Sequence, residues 1–158
     1  MTTPRRAAVC LTAATLLVLS AGCDSAAEKK AEAQARADFS RAADLSTCAK
    51  DARAAATPYP DGFPTDWPFP DRTVVFSAQD RGADGVVVSA ISKAPFKDAL
   101  ATMNGPVAKA GYKVEKGETE QHDAEAEWSG NGFHGRWAIR ESATCPGETV
   151  VQVLSTHS

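Results

Sequence analysis

Asn131-Gly132, flanked on both sides by alternating apolar and polar residues, constrains this chain more than any other feature. A two-residue type I′ turn needs a left-handed backbone at both central positions, and Asn followed by Gly is the pair that adopts it at least cost. Centring the turn there sets Trp128 opposite Gly135, Ala126 opposite Trp137 and Ala124 opposite Ile139 on one face. The same register sets Glu127 against Arg136 and Asp123 against Arg140 on the other. One face is apolar and the other is charged and paired, and a slip of one residue would invert both. The segment therefore predicts a hairpin whose Trp128 and Trp137 enter a core while Glu127 and Arg136 face water.

Strand patterns recur around it. Residues 73–78 and 86–91 are β-branched runs separated by the turn-rich residues 80–85, which reads as a second hairpin. Pro95 then occupies the place of a first helical residue, and Phe96, Leu100, Met103 and Val107 fall on one helical face. Gly105-Pro106 should bend or break that helix in its last turns, and Gly111 should stop it. Strand alternation resumes over 112–115, a polar loop covers 116–123, and 149–154 closes the sheet. The order β-β-α-β-β-β-β predicts an α+β fold, a mostly antiparallel sheet with one helix on one face.

Upstream, composition changes twice. Residues 58–72 carry five of the nine prolines interleaved with Tyr59, Phe63, Trp67 and Phe69, which excludes helix and central strand. This lead-in reads as an ordered strap whose aromatics pack on the domain. Residues 23–57 are rich in alanine and charge and predict a helical tether, its last turns (Phe39, Leu45, Cys48) docked on the globule. The α+β domain is then 73–158.

The first 22 residues have the order of an export signal: Arg5 and Arg6, then an uncharged apolar run from Ala7 to Ala21. That run falls short of the ~20 residues a spanning helix needs. Leu19-Ser20-Ala21-Gly22-Cys23 resembles a bacterial lipobox, with Ser20 where such boxes usually carry leucine. The resemblance implies cleavage before Cys23, lipidation (palmitate among the acyl chains) on its thiol, and a cell-membrane anchor on the extracytoplasmic face. Residues 64–154, with the Pro64-Thr65-Asp66-Trp67-Pro68-Phe69-Pro70 lead-in and the helix ending near Ala110-Gly111-Tyr112, are similar to small exported bacterial lipoproteins. That likeness brings no catalytic residue and no ligand.

Losing the signal with its two arginines lowers the formal charge from −3 to −5. A net acidic chain lacks the Lys/Arg patch that phosphate backbones demand, which excludes nucleic acid as a partner. Of four cysteines, Cys10 leaves with the signal and Cys23 is the lipid site, so Cys48 and Cys145 remain to form a disulfide in an oxidising compartment. Closing a loop of ~97 residues would stabilise by ~4–5 kcal/mol on the chain-entropy model.

Catalytic constellations are sparse. His122, His134 and His157 stand in no metal-ligand spacing and read as solvated, with His157 in a terminal tail. No serine sits in a nucleophile elbow. The acidic stretch Glu115, Glu118, Glu120, Asp123, Glu125, Glu127 would bind calcium at best weakly, because alternate residues face opposite ways. No cofactor and no metal are expected. The expectation is a monomeric, non-enzymatic binding or scaffolding module of the cell envelope, with an envelope protein or small ligand as partner. The alternative is an envelope hydrolase or glycan-modifying enzyme using Glu125 and Glu127.

Overall fold

The computed structural model describes Lys30, Gln34 and residues 47–158. The export signal, Cys23 and most of the tether, including Phe39 and Leu45, lie outside the described residues.

Two hairpin patterns and the helix between them build a six-stranded sheet. Its strands are β1 (Thr73–Asp80), β2 (Val86–Ser92), β3 (Lys113–Thr119), β4 (Asp123–Gly130), β5 (Phe133–Glu141) and β6 (Thr149–His157). The spatial order is β1-β2-β6-β5-β4-β3, antiparallel at every step. Chain-neighbouring strands pair except at β2, which takes β6 as its second partner while the helices α1 (Phe96–Asn104) and α2 (Pro106–Lys109) carry the chain to the far edge. The class is α+β, with helix and antiparallel sheet segregated.

The central hairpin has the register expected of Asn131-Gly132. Trp128 opposes Gly135, Ala126 opposes Trp137, Ala124 opposes Ile139, Glu127 opposes Arg136 and Asp123 opposes Arg140. Asn131 at φ 51° and Gly132 at φ 82° are both left-handed, as a type I′ turn requires. The Asn131 amide also donates from Nδ2 to the Ala110 carbonyl at 3.0 Å, tying the turn to the end of α2. Gly135 is needed for another reason: a Cβ there would run into the Leu154 carbonyl of β6.

The front face of the sheet holds the main core. Val75, Val88, Ala90, Val151, Val153, Trp137, Ile139, Ala126 and Trp128 pack against Phe96, Ala99, Met103 and Val107. Ala99 rather than Leu100 completes the buried stripe, and Leu100 is half-buried at its margin. Pro95 stands at the N-cap with ψ 155°, so the helix begins at Phe96, one residue later than the sequence pattern suggests. Gly105-Pro106 does interrupt the helix, separating α1 from α2.

β3 and β6 each run three or more residues past the ends their patterns indicate. β3 continues past a bulge between Val114 and Gly117 and pairs Gly117, Glu118 and Thr119 with β4, where a polar loop was expected. As an edge strand exposed on both sides it carries no burial periodicity, and the ladder to β4 sets its length. β6 extends to His157, which pairs with Phe133 and lies 4.5 Å from its ring, so His157 belongs to the sheet and not to a tail.

The strap packs as expected of an ordered lead-in. Phe63 and Trp67 are buried in the front core, and Ala55 donates its amide to the Val75 carbonyl of β1 at 2.9 Å. Asp71 accepts from Ser92 Oγ at 2.9 Å, closing the strap onto β2.

Candidate functional site

Side chains alternate across each strand, so residues two apart along β4 and β5 share the reverse, or back, face of the sheet. Its two halves differ. Toward one end Ile91, Ala138 and Val150, with Val74 and Phe76 beside them, form a second apolar cluster beneath Ala49 and Ala52. Toward the β3–β5 side the same face carries Asp123, Glu125, Glu127, Arg136 and Arg140.

The apolar half is closed by a turn at Cys48. Asp51 and Ala52 donate their amides to the Cys48 carbonyl at 2.9 Å each, so the turn is self-contained. Cys48 is joined to Cys145, with Cα atoms 5.6 Å apart. Ala49 donates its amide to Glu148 Oε2 at 2.7 Å, a second link between the same two segments. Cys48, Cys145 and Glu148 bring their ligand atoms within 4.8 Å of one another, a grouping that suits a metal when the thiols are free. As a bonded pair the sulfurs have no thiolate to offer.

The charged half is organised by ion pairs rather than by a shared cation site. Arg136 forms its salt bridge with Glu125, the diagonal neighbour, although its directly opposed residue is Glu127. An arginine spans that diagonal because neighbours two residues off lie only about 7–8 Å away across an antiparallel pair. Glu115 accepts from Ser129 Oγ at 2.9 Å and lies 3.5 Å from Lys113 Nζ. The hydroxyl bond first, and the lysine second, hold the Glu115 carboxyl below its ordinary value. A general acid needs the opposite displacement. Among the described residues the acidic stretch 115–127 does not bring three carboxylates to metal-binding distance.

The histidines are dispersed. His122 Nδ1 lies 2.6 Å from Glu141 Oε2 at the exposed start of β4, and His134 Nδ1 lies 3.4 Å from Ser158 Oγ. Trp128 and Trp137 are each 1 % exposed on the front face, which makes them core and leaves no ring open for stacking on a sugar. Trp67 packs on the domain as expected of the strap aromatics, and the structure adds its partners: its ring centroid lies 4.5 Å from that of Trp128 and 5.1 Å from that of Tyr112. The Tyr112 hydroxyl donates to Asp66 Oδ1, fastening the strap to the start of β3. Only the unusual density of aromatics among prolines hinted at this role.

Compared with family models, curated proteins and solved structures, the chain matches none of them. Among the described residues no helix is long and apolar enough to cross a membrane.

Proposed function

We propose that this chain is a lipid-anchored, extracytoplasmic binding or scaffolding module of the cell envelope, held to the membrane through Cys23 and presenting the charged half of its sheet to a partner protein. The observation that carries the reading is the division of the sheet. The front face is spent on the core, so Trp128 and Trp137 are withdrawn from solvent, while Glu127, His134 and Lys113 stay exposed on the other side. Polar groups held in register on rigid strands give specificity and steering more than raw affinity.

Anchoring at the N-terminus fits this layout, since Ala49 and Ala52 of the tether pack on the apolar half of the back face and leave the charged half uncovered by them. The enzymatic alternative draws less support. Glu125 is already engaged by Arg136, which ties up one member of the carboxylate pair that reading needs.

Two measurements test the reading. Incorporation of a fatty-acid analogue should be abolished by Cys23→Ala, and unchanged labelling would remove the anchor. A photo-crosslinking residue placed at Glu127 should capture an envelope protein in intact cells, while one placed at Tyr59, on the strap, should not. Capture from Tyr59 alone would move the interaction surface to the strap.

A further inference from the structure

We propose that the Cys48–Cys145 disulfide is a releasable clamp, which joins the N-terminal segment to the back face and opens on reduction by a dithiol without dismantling the core. The bond spans 97 residues in sequence, which suggests a staple of the whole fold. Its structural reach is far smaller. No residue from 48 to 54 belongs to the front core, whose first contributor from this end is Ala55.

Each segment at the disulfide closes on itself. Residues 142–148 are held by Ser142 N to Glu148 O at 2.9 Å, Glu148 N to Cys145 O at 3.1 Å and Cys145 N to Ser142 Oγ at 3.1 Å. The Cys48 turn has its own two amide bonds. Among the described residues, three things connect the turn to the sheet: the disulfide, the Ala49–Glu148 hydrogen bond, and the side chains of Ala49 and Ala52 on Ile91, Ala138 and Val150. Alanine buries little apolar area, so the covalent link dominates. From Ala55 onward the strap is secured separately, by its bond to Val75 and by the burial of Phe63 and Trp67.

The chemistry runs in one direction of access. Cys48 is half-buried while Cys145 is buried, so an incoming thiolate reaches Cys48 Sγ. A new S–S bond forms there, the old one breaks, and Cys145 leaves with the electron pair as a thiolate. Thr144 Oγ1, 3.4 Å from Cys145 Sγ, is placed to donate to that thiolate before it takes a proton. The second thiol of the reductant then displaces Cys48 from the mixed disulfide. Two electrons and two protons have passed from dithiol to protein, and the reductant ends as its own disulfide. The nearby Glu148 carboxylate opposes thiolate formation, which keeps the clamp closed until a strong dithiol acts.

This holds whether or not Cys23 carries lipid, because it concerns the mature protein in solution. Lys50 and Arg53, both exposed, place two trypsin sites inside the clamped segment. The mature protein is treated with dithiothreitol and digested briefly, with cleavage at these sites read by mass spectrometry and the front core read by emission from Trp67, Trp128 and Trp137. The expected result is cleavage at Lys50 and Arg53 faster by about tenfold or more, as for a locally opened segment, with the emission spectrum unchanged. The Cys48→Ser/Cys145→Ser double variant should reproduce both readings without reductant. Loss of the native emission on reduction would make the bond a staple of the whole fold, and an unaltered cleavage rate would show that the segment is held without it. Either result overturns the proposal.

Discussion

The ring of Trp67, from a proline-rich strap, lies 4.5 Å from the ring of Trp128, from the central hairpin, with the planes tilted by 50°. Tyr112 completes the group edge-on to Trp128, with centroids 5.4 Å apart. A segment barred from helix and central strand by its prolines thus supplies one of the largest buried side chains of the front core. Offset and edge-to-face pairs of this kind add to the area term of burial. Replacing Trp67 by Ala should cost ~3–5 kcal/mol, the usual range for emptying a large aromatic site. Urea denaturation checks this, and a cost under ~1 kcal/mol would show that the strap only rests on the surface.

Trp137→Ala and Glu127→Ala separate the two faces of the sheet. Trp137 is buried at 1 % exposure and should cost ~3–5 kcal/mol, whereas exposed Glu127, whose opposed arginine pairs elsewhere, should cost well under ~1 kcal/mol. A Trp137→Ala protein that unfolds normally but loses a partner would make the tryptophan a binding group.

A double-mutant cycle distinguishes backbone register from side-chain pairing. Arg136 opposes Glu127 along the ladder but bridges to Glu125, with side chains 29 % and 14 % exposed. The Arg136/Glu125 cycle should give a coupling of about 0.5–1 kcal/mol, and the Arg136/Glu127 cycle about zero. Equal couplings would show the arginine sharing both partners.

Alkaline stability should depend on Tyr112. Burial above all, and then its hydrogen bond to Asp66, raise the phenol above its ordinary value. The unfolded chain therefore releases this proton first, near pH ~10. The stabilisation is complete below that value and is lost as pH rises through the folded-state pKa. In Tyr112→Phe the unfolding free energy should decline less steeply across this range, as measured by denaturant titrations at stepped pH. Parallel curves for the two proteins would mean that Asp66 and burial do not act on the phenol.

Backbone demands at Gly135 should be equally visible. A methyl group there meets the Leu154 carbonyl, which belongs to the ladder between β5 and β6 and cannot swing aside. Gly135→Ala should destabilise by more than ~1 kcal/mol, well beyond the ordinary effect of a surface change, with a lowered thermal midpoint as the readout.

Local chemistry made several of these features legible in the chain itself. Asn131-Gly132 determined the register of β4 on β5, because a two-residue turn and a period of two leave one pairing that buries Trp128 and Trp137 together. Gly105-Pro106 and Gly111 punctuated the helix, since a missing amide and a left-handed φ of 94° act within a single turn. The Cys48–Cys145 pair followed from elimination, and their Cα atoms lie 5.6 Å apart. What lies across the sheet was decided only by tertiary structure. The lengths of β3 and β6, the strand order β1-β2-β6-β5-β4-β3, the diagonal reach of Arg136 to Glu125, the insertion of Trp67 and the apolar back-face cluster under Ala49 leave no periodic trace. Each depends on which distant surface arrives to complete a ladder, a charge or a packing layer, and sequence spacing carries no information about distances that only folding closes.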